Sequence, residues 1–165
     1  MPSPTRKPAP KALSGKTIYL AAPLFTQTER ISNRRLAADL EKQLPGNDVI
    51  LPQDFKVSGK FNDKHNYRLL FRRCLEAIDT ADAVIAILDG ADADSGVGFE
   101  TGYAFARRVP VIGVRTDYRA GQDRGVNMML SQAAKRFVFE MAFLEDPAAL
   151  ARDIAAKLRQ VLAGR

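Results

Sequence analysis

The chain has 165 residues, of which 46% are hydrophobic and 27% are charged, with one Cys and no Trp. This length and balance suit a single globular domain, and one cysteine excludes a disulfide scaffold or a Cys-rich zinc module. No apolar run approaches the ~20 residues that cross a bilayer, and no signal-peptide core follows the N-terminus. We therefore expect a cytoplasmic protein with no membrane association.

The net charge of +6 suggests a nucleic-acid partner, but the distribution of that charge argues against one. Residues 1–16 contain four basic and no acidic side chains, so this segment carries two-thirds of the net charge. Four of the nine prolines also lie there, which predicts an extended, unpacked tail. Residues 17–165 then form one nearly neutral domain, for which we expect no nucleic acid polymer as partner.

The first elements of this domain alternate in type. Residues 17–22 (TIYLAA) predict a buried strand, and residues 28–44 predict a helix that ends at Pro45-Gly46. The apolar stripe of this helix consists of Ile31, Leu36, Leu40 and Leu44. Residues 48–51 predict a second strand, closed by Pro52, and a polar loop covers residues 53–64.

The middle of the chain continues the alternation. Residues 66–80 predict a helix, and residues 82–88 (DAVIAIL) predict a strand of the kind that is buried on both faces of a parallel sheet. The stripe of this helix consists of Tyr67, Phe71, Cys74 and Ile78. A Gly- and Asp-rich loop follows, and the next predicted helix covers residues 99–108.

The last third of the chain predicts strands over residues 110–114 and 136–139, with a loop over 115–126 and a short helix from Asn127 between them. Residues 147–162 predict a helix with Asp146 as its N-cap. The alternation indicates an α/β fold, a Rossmann-like or flavodoxin-like three-layer sandwich with a mostly parallel five-stranded sheet.

The segment from Asp94 to Ala104 follows the carboxyl end of a predicted strand, which is where open α/β sheets bind ligands. Gly96, Gly98 and Gly102 allow a tight turn and a close approach of a ligand, and we assign Gly98 to substrate binding. The spacing fits neither a Walker loop nor the Rossmann dinucleotide motif. A Glu100 that only complements the helix dipole is the plain alternative, but the glycines and aromatics beside it favour a working carboxylate.

These residues resemble the nucleoside 2-deoxyribosyltransferase family. The run from Ile18 to Phe25 is similar to the first strand of that family and its following loop. The segment 80–104 is similar to the central motif, with both carboxylates at the family's spacing, and 127–129 is similar to an Asn-x-Met segment. The likeness covers roughly residues 17–140.

The resemblance implies a role for each matching residue. Glu100 matches the nucleophile that attacks C1′ of the deoxyribose, Asp94 a ligand of the sugar hydroxyls, and Tyr19 an aromatic beside the nucleophile. The base pocket is implied for Phe25, as a wall, and for Gln53, as an amide on the base edge. Asn127 and Met129 match residues that complete the sugar pocket of a neighbouring subunit, which implies a homo-oligomer with shared active sites.

The implied reaction transfers a 2-deoxyribosyl group from a deoxynucleoside to a free nucleobase. A carboxylate can form a covalent glycosyl ester, and two inversions at C1′ retain the configuration. No cofactor is implied, and no carboxylate–His cluster near His65 suggests a metal.

Two features depart from the family pattern. Cys74 stands where the family commonly has an Asp that helps protonate the base, so we assign Cys74 to the pocket wall and leave Asp54 and Asp79 open as substitutes. The chain also ends in an amphipathic helix, whereas some members end in a tail that reaches the active site. Two alternatives therefore remain: an N-glycosidase acting on deoxynucleosides or their 5′-monophosphates, and a non-catalytic nucleotide-binding module.

Overall fold

A computed structural model of the chain contains five parallel strands in one sheet, with helices on both faces. It describes residues 13–59, 63–119, 125–139, 146 and 148–163. The strands are β1 (Thr17–Ala21), β2 (Asp48–Ile50), β3 (Ala83–Ile87), β4 (Val111–Arg115) and β5 (Arg136–Phe139). Their order is β2-β1-β3-β4-β5, the flavodoxin-like order, which confirms the expected fold class. The strand order reverses between β1 and β3.

The helices occupy the two faces of this sheet unequally. They are α1 (Gln27–Gln43), α2 (Lys64–Thr80), α3 (Ser95–Ala106), α4 (Met128–Ala133) and α5 (Ala149–Leu162), and a 3-10 turn (Pro52–Asp54) follows β2. Helices α1 and α5 cover one face, while α2, α3 and α4 cover the other. Alternate side chains of β1 divide between the faces, so Tyr19 points toward α2 and α3 while Ile18 and Leu20 point toward α1 and α5.

The predicted helix stripes are only partly buried. Leu40 and Ile78 are fully buried, but Ile31 is 61% exposed, and Tyr67 and Phe71 are each 52% exposed. The exposed residues lie in the early turns of α1 and α2, near the carboxyl edge of the sheet, and later turns make the core contacts. The stripe residues of the later turns therefore form part of the core, whereas those of the first turns remain exposed.

The start of the last helix also differs from the prediction. Asp146 is not its N-cap, because α5 begins at Ala149 with Ala148 as the cap residue. The Asp146 carboxylate instead accepts a hydrogen bond from the Ala148 amide at 2.9 Å and pairs with Arg152 at 2.6 Å. Residues 1–12 of the tail predicted over 1–16 and residues 120–124 of the loop predicted over 115–126 lie outside the described residues. Within those residues no helix is long and apolar enough to span a membrane.

Candidate active site

The central contact of the site joins the sheet to helix α3. Tyr19 lies on β1 with no solvent exposure, and its hydroxyl donates a hydrogen bond of 2.6 Å to Oε1 of Glu100. The two residues are 81 positions apart in the chain. Because β1 and β3 are adjacent and α3 packs over them, the fold brings both to the point where the strand order reverses.

Cys74 of α2 completes this arrangement. Its half-buried thiol lies beside the Tyr19 hydroxyl and the Glu100 carboxylate, close enough to affect the pKa of both groups. We call these three side chains the Tyr19–Cys74–Glu100 cluster. One side chain comes from the sheet and two come from the helices above it, so the cluster exists only in the folded chain.

The pKa shifts in the cluster keep Tyr19 and Cys74 neutral beside the Glu100 carboxylate. Burial raises the pKa of the Glu100 carboxyl, hydrogen bonds from Tyr19 and Cys74 oppose that increase, and the charge of Asp94 adds to it. Burial also raises the pKa of the Cys74 thiol, and burial together with the Glu100 charge raises that of Tyr19 far above its usual range. At neutral pH the phenol and the thiol therefore remain protonated donors.

Asp94 caps the helix that carries Glu100. Its Oδ1 accepts hydrogen bonds from the amides of Gly96 (2.9 Å) and Val97 (3.0 Å), so α3 begins at Ser95 and not at residue 99 as predicted. The Asp-Ser-Gly sequence carries this signal, since Asp is a preferred N-cap. Both capping bonds use Oδ1, no hydrogen bond within the described residues reaches Oδ2, and the residue is only half-buried.

The glycines of this segment do not form the expected tight turn. Gly96, Gly98 and Gly102 lie within α3, and none has a positive φ. The turn is made earlier by Gly90, whose φ is 104°. Gly98 faces α4, where an added β-carbon would lie 3.9 Å from the Leu130 side chain.

Phe25 and Gln53 come together in a groove whose lining does not include the Tyr19–Cys74–Glu100 cluster. Both line an open groove of about 720 Å³ beside α1, and Phe25 is 76% exposed. Both ends of the Gln53 amide are engaged: Oε1 accepts from Asn33 at 3.3 Å, and Nε2 donates to the Arg30 carbonyl at 3.0 Å. One N–H of Nε2 and one lone pair of Oε1 remain, so a base edge could bond this amide without the loss of either contact.

Asn127 and Met129 lie at the start of α4 on the surface. The side-chain oxygen Oδ1 of Asn127 accepts a hydrogen bond from the Met129 amide at 2.9 Å, which makes Asn127 the N-cap of the helix. The Met129 side chain is 72% exposed. In the single chain this segment therefore presents its side chains outward.

The structure also shows the contacts of Asp54 and Asp79, whose roles the sequence left open, and of an aromatic pair that the sequence did not predict. Asp54 pairs with Arg34 at 2.6 Å, and Asp79 pairs with Arg107 at 2.6 Å, so each carboxylate has a cationic partner outside the cluster. Phe71, a member of the predicted apolar stripe of α2, packs against Phe99 with ring centroids 5.8 Å apart and stays half-exposed. Two features of the sequence could have indicated this aromatic pair: Phe71 lies on the same apolar stripe as Cys74, and Phe99 is next to Glu100.

No group of three potential ligands that could hold a metal ion occurs in the described ranges.

Solved structures resemble the chain in fold. A conserved protein from Enterococcus faecalis V583 is 25% identical, covers 89% of this chain and 99% of its own, and has a TM-score of 0.69. A 2-deoxyribosyltransferase from Bacillus psychrosaccharolyticus is 21% identical over 86% and 95%, with a TM-score of 0.67. A CMP N-glycosidase from Clostridium botulinum is 16% identical over 84% and 98%, with a TM-score of 0.56.

No curated protein matches the chain significantly. The sequence profile of one family, described as nucleoside 2-deoxyribosyltransferase, matches residues 18–132. This range is more than half of the chain and includes the whole Tyr19–Cys74–Glu100 cluster, Asp94 and Asn127. The protein thus belongs to the nucleoside 2-deoxyribosyltransferase family, whose members act on nucleosides and nucleobases.

Proposed function

We propose that this protein transfers a 2-deoxyribosyl group between nucleobases through a covalent ester on Glu100. The observation that carries the proposal is the 2.6 Å hydrogen bond from Tyr19 to Glu100, which fixes a half-buried carboxylate at the switch point of the sheet. The family match and the fold likeness to a 2-deoxyribosyltransferase support the same reaction.

In the first step, a Glu100 carboxylate oxygen attacks C1′ and forms a C–O bond while the bond from C1′ to the base nitrogen breaks. The electron pair goes to the base nitrogen, and the base takes up one proton from solvent water. In the second step, a nitrogen of the acceptor base attacks C1′, the ester C–O bond breaks, Glu100 is released as a carboxylate and the acceptor loses its proton. Two displacements retain the configuration at C1′.

We assign supporting roles to the residues around Glu100. Tyr19 and Cys74 hold the carboxylate in one orientation, and the oxygen of Asp94 that does not cap α3 binds sugar hydroxyls, which aligns C1′ with Glu100. Phe25 forms a wall of the base pocket and Gln53 contacts the base edge. Gly98 lies on α3 two residues before Glu100, and we assign it to substrate binding because the missing side chain leaves room between α3 and Leu130 of α4.

The proposal includes a homo-oligomer in which Asn127 and Met129 complete a neighbour's sugar pocket. The outward position of Met129 supports this assignment. We expect Glu100→Ala and Asn127→Ala chains to be inactive alone and to regain activity when unfolded and refolded together, because mixed oligomers then contain intact sites. Mixtures that stay inactive while mass measurement confirms mixed oligomers would contradict shared sites.

Hydrolysis is the second candidate, because the same glycosyl ester can be attacked by water, and the fold likeness to a CMP N-glycosidase favours it. One assay separates the candidates: the protein is incubated with a deoxynucleoside, with and without a second base, and products are followed by chromatography. A new nucleoside only with acceptor supports transfer, free base alone supports hydrolysis, and no turnover leaves a non-catalytic binding module.

The nucleophile is tested with Glu100→Ala and a matched control, Glu41→Ala, which removes an exposed carboxylate on α1. We expect Glu100→Ala to abolish exchange and Glu41→Ala to retain it. Quenched wild-type protein should carry one deoxyribosyl group on the peptide that contains Glu100. Exchange at the wild-type rate in Glu100→Ala would exclude the covalent mechanism.

A further inference from the structure

Arg115 is a buried cation that lies between two loops of the site. It is the last residue of β4 and is 3% exposed. Its Nη1 donates to the carbonyls of Leu88 (2.7 Å) and Gly90 (3.1 Å), and its Nη2 donates to the carbonyl of Arg119 (3.1 Å). The carboxylate of Asp117 is 3.8 Å away, so carbonyl dipoles provide most of the close compensation for this charge.

Asp89 makes the reciprocal contacts from the other loop. Its carboxylate accepts hydrogen bonds from the Thr116 amide (2.6 Å), the Thr116 hydroxyl (2.6 Å) and the Asp117 amide (3.0 Å). The Gly90 amide in turn donates to Asp117 at 3.2 Å. With the two Arg115 bonds to Leu88 and Gly90, six hydrogen bonds join the loop after β3 to the loop after β4.

Each of these loops leads to a different part of the proposed site. Four residues after Gly90, Asp94 caps α3 and thereby fixes the start of the helix that carries Glu100. On the other side, the guanidinium lies directly against Gly125, where a β-carbon would be 2.6 Å from Nη2. Gly125 is two residues before Asn127, the N-cap of α4.

We infer that Arg115 is a positioning residue that sets the geometry of Asp94 and of the Asn127–Met129 segment together, by bridging the loops that carry them. This inference rests on the proposed function for its effect on catalysis, but not for its effect on the loops. Lysine cannot replace the guanidinium, because a single ammonium lacks the planar fork that reaches three carbonyls. Under the proposed oligomer, one side chain would thus align a subunit's own site and its neighbour's.

The test compares Arg115→Met with two controls by amide hydrogen exchange and kinetics. Arg152→Met removes an exposed arginine of α5, and Ile154→Ala destabilises the opposite face of the sheet by opening a core cavity. In Arg115→Met we expect exchange at the Gly96, Val97 and Met129 amides to rise at least about tenfold. We also expect kcat to fall about 10²-fold, as for misplaced reacting groups, with KM changed less than about threefold.

Gly125→Ala provides a second perturbation that keeps the arginine and displaces its guanidinium, and the same two segments should exchange faster. Arg115→Lys should resemble Arg115→Met rather than the wild type. The inference is overturned if only one segment loosens, or if Ile154→Ala with an equal drop in melting temperature reproduces the changes. An inactive wild-type enzyme would refute the proposed function alone, since the exchange data would still decide the bridging role.

Discussion

Replacing Tyr19 with phenylalanine isolates the hydrogen bond at the centre of the cluster. The substitution keeps the buried ring and removes one hydroxyl, which donates to Glu100 at 2.6 Å. That donor stabilises the ionised carboxylate and opposes the effect of burial on its pKa. Without it, the pKa of Glu100 rises further, so a larger fraction of the enzyme is protonated and inactive at mildly acidic pH.

The size of the effect follows from the type of bond. A hydrogen bond to a charged group contributes about 1.5–3 kcal/mol, which corresponds to a roughly 10- to 150-fold change in an ionisation equilibrium. The contact is short and Tyr19 has no solvent exposure, so water does not replace the lost donor in the unrelaxed site. We therefore expect the acid limb of kcat/KM to move to higher pH, by the shift that corresponds to a roughly 10- to 150-fold change in the ionisation constant of Glu100.

The measurement is the pH dependence of base exchange for the wild type, Tyr19→Phe and a matched control. Tyr103→Phe removes a hydroxyl that contacts Asp79 at 3.0 Å on the exposed side of α3, so its acid limb should stay where the wild type has it. If the limb of Tyr19→Phe coincides with the wild type while turnover persists, Tyr19 does not control the ionisation of Glu100 and the assigned role is refuted.

Three further outcomes are expected. Because burial raises the folded-state pKa of Glu100, this group favours folding below its unfolded pKa and opposes it as pH rises through the folded one. Glu100→Gln should therefore raise the melting temperature at pH 7, by about 2–4 °C per kcal/mol, and the gain should disappear below about pH 4. Cys74→Asp should supply the missing acid and raise kcat about tenfold or more, whereas Cys74→Ser should not; an unchanged kcat would exclude base protonation from this position. Thr26→Ala removes the side-chain acceptor of the α1 capping box and should cost about 1 kcal/mol of unfolding free energy in denaturant titrations, and no loss would show that the cap is dispensable.

The local hydrophobic pattern of the sequence was sufficient to predict the strands of the sheet, but it was not sufficient to predict where helices begin. The apolar runs around Ile18 and Ile85 identify β1 and β3, because strands buried on both faces are continuous in hydrophobicity. The start of α3 was misplaced because Gly96 and Gly98 lower helix propensity, while the two hydrogen bonds to Asp94 that start the helix earlier depend on its side-chain rotamer. Propensity and capping disagreed there, and capping decided the boundary.

Glu100 was indicated by its place after a strand end, but the residues that surround it were accessible from the sequence only through the family resemblance. Nothing in the spacing of Tyr19, Cys74 and Glu100 indicates contact, because their meeting depends on which strand neighbours β1 and on which face α2 and α3 pack. The Asp89–Arg115 contacts were missed for the same reason: each residue alone is an ordinary charge at a strand end. The feature that could have indicated these contacts is the arginine at the end of an otherwise apolar strand. It becomes informative only when the burial of Arg115 is known.

The choice of neutral donors around Glu100 fits the chemistry proposed for it. The described groups that shift its pKa are a phenol, a thiol and a carboxylate, none of them cationic. Formation of a glycosyl ester removes the charge of the nucleophile, and a buried arginine or lysine beside it would then be left unpaired at a high energetic cost. A phenol and a thiol lose much less when the carboxylate becomes an ester. The cluster can therefore hold Glu100 in place before the reaction without strongly opposing the step that consumes its charge.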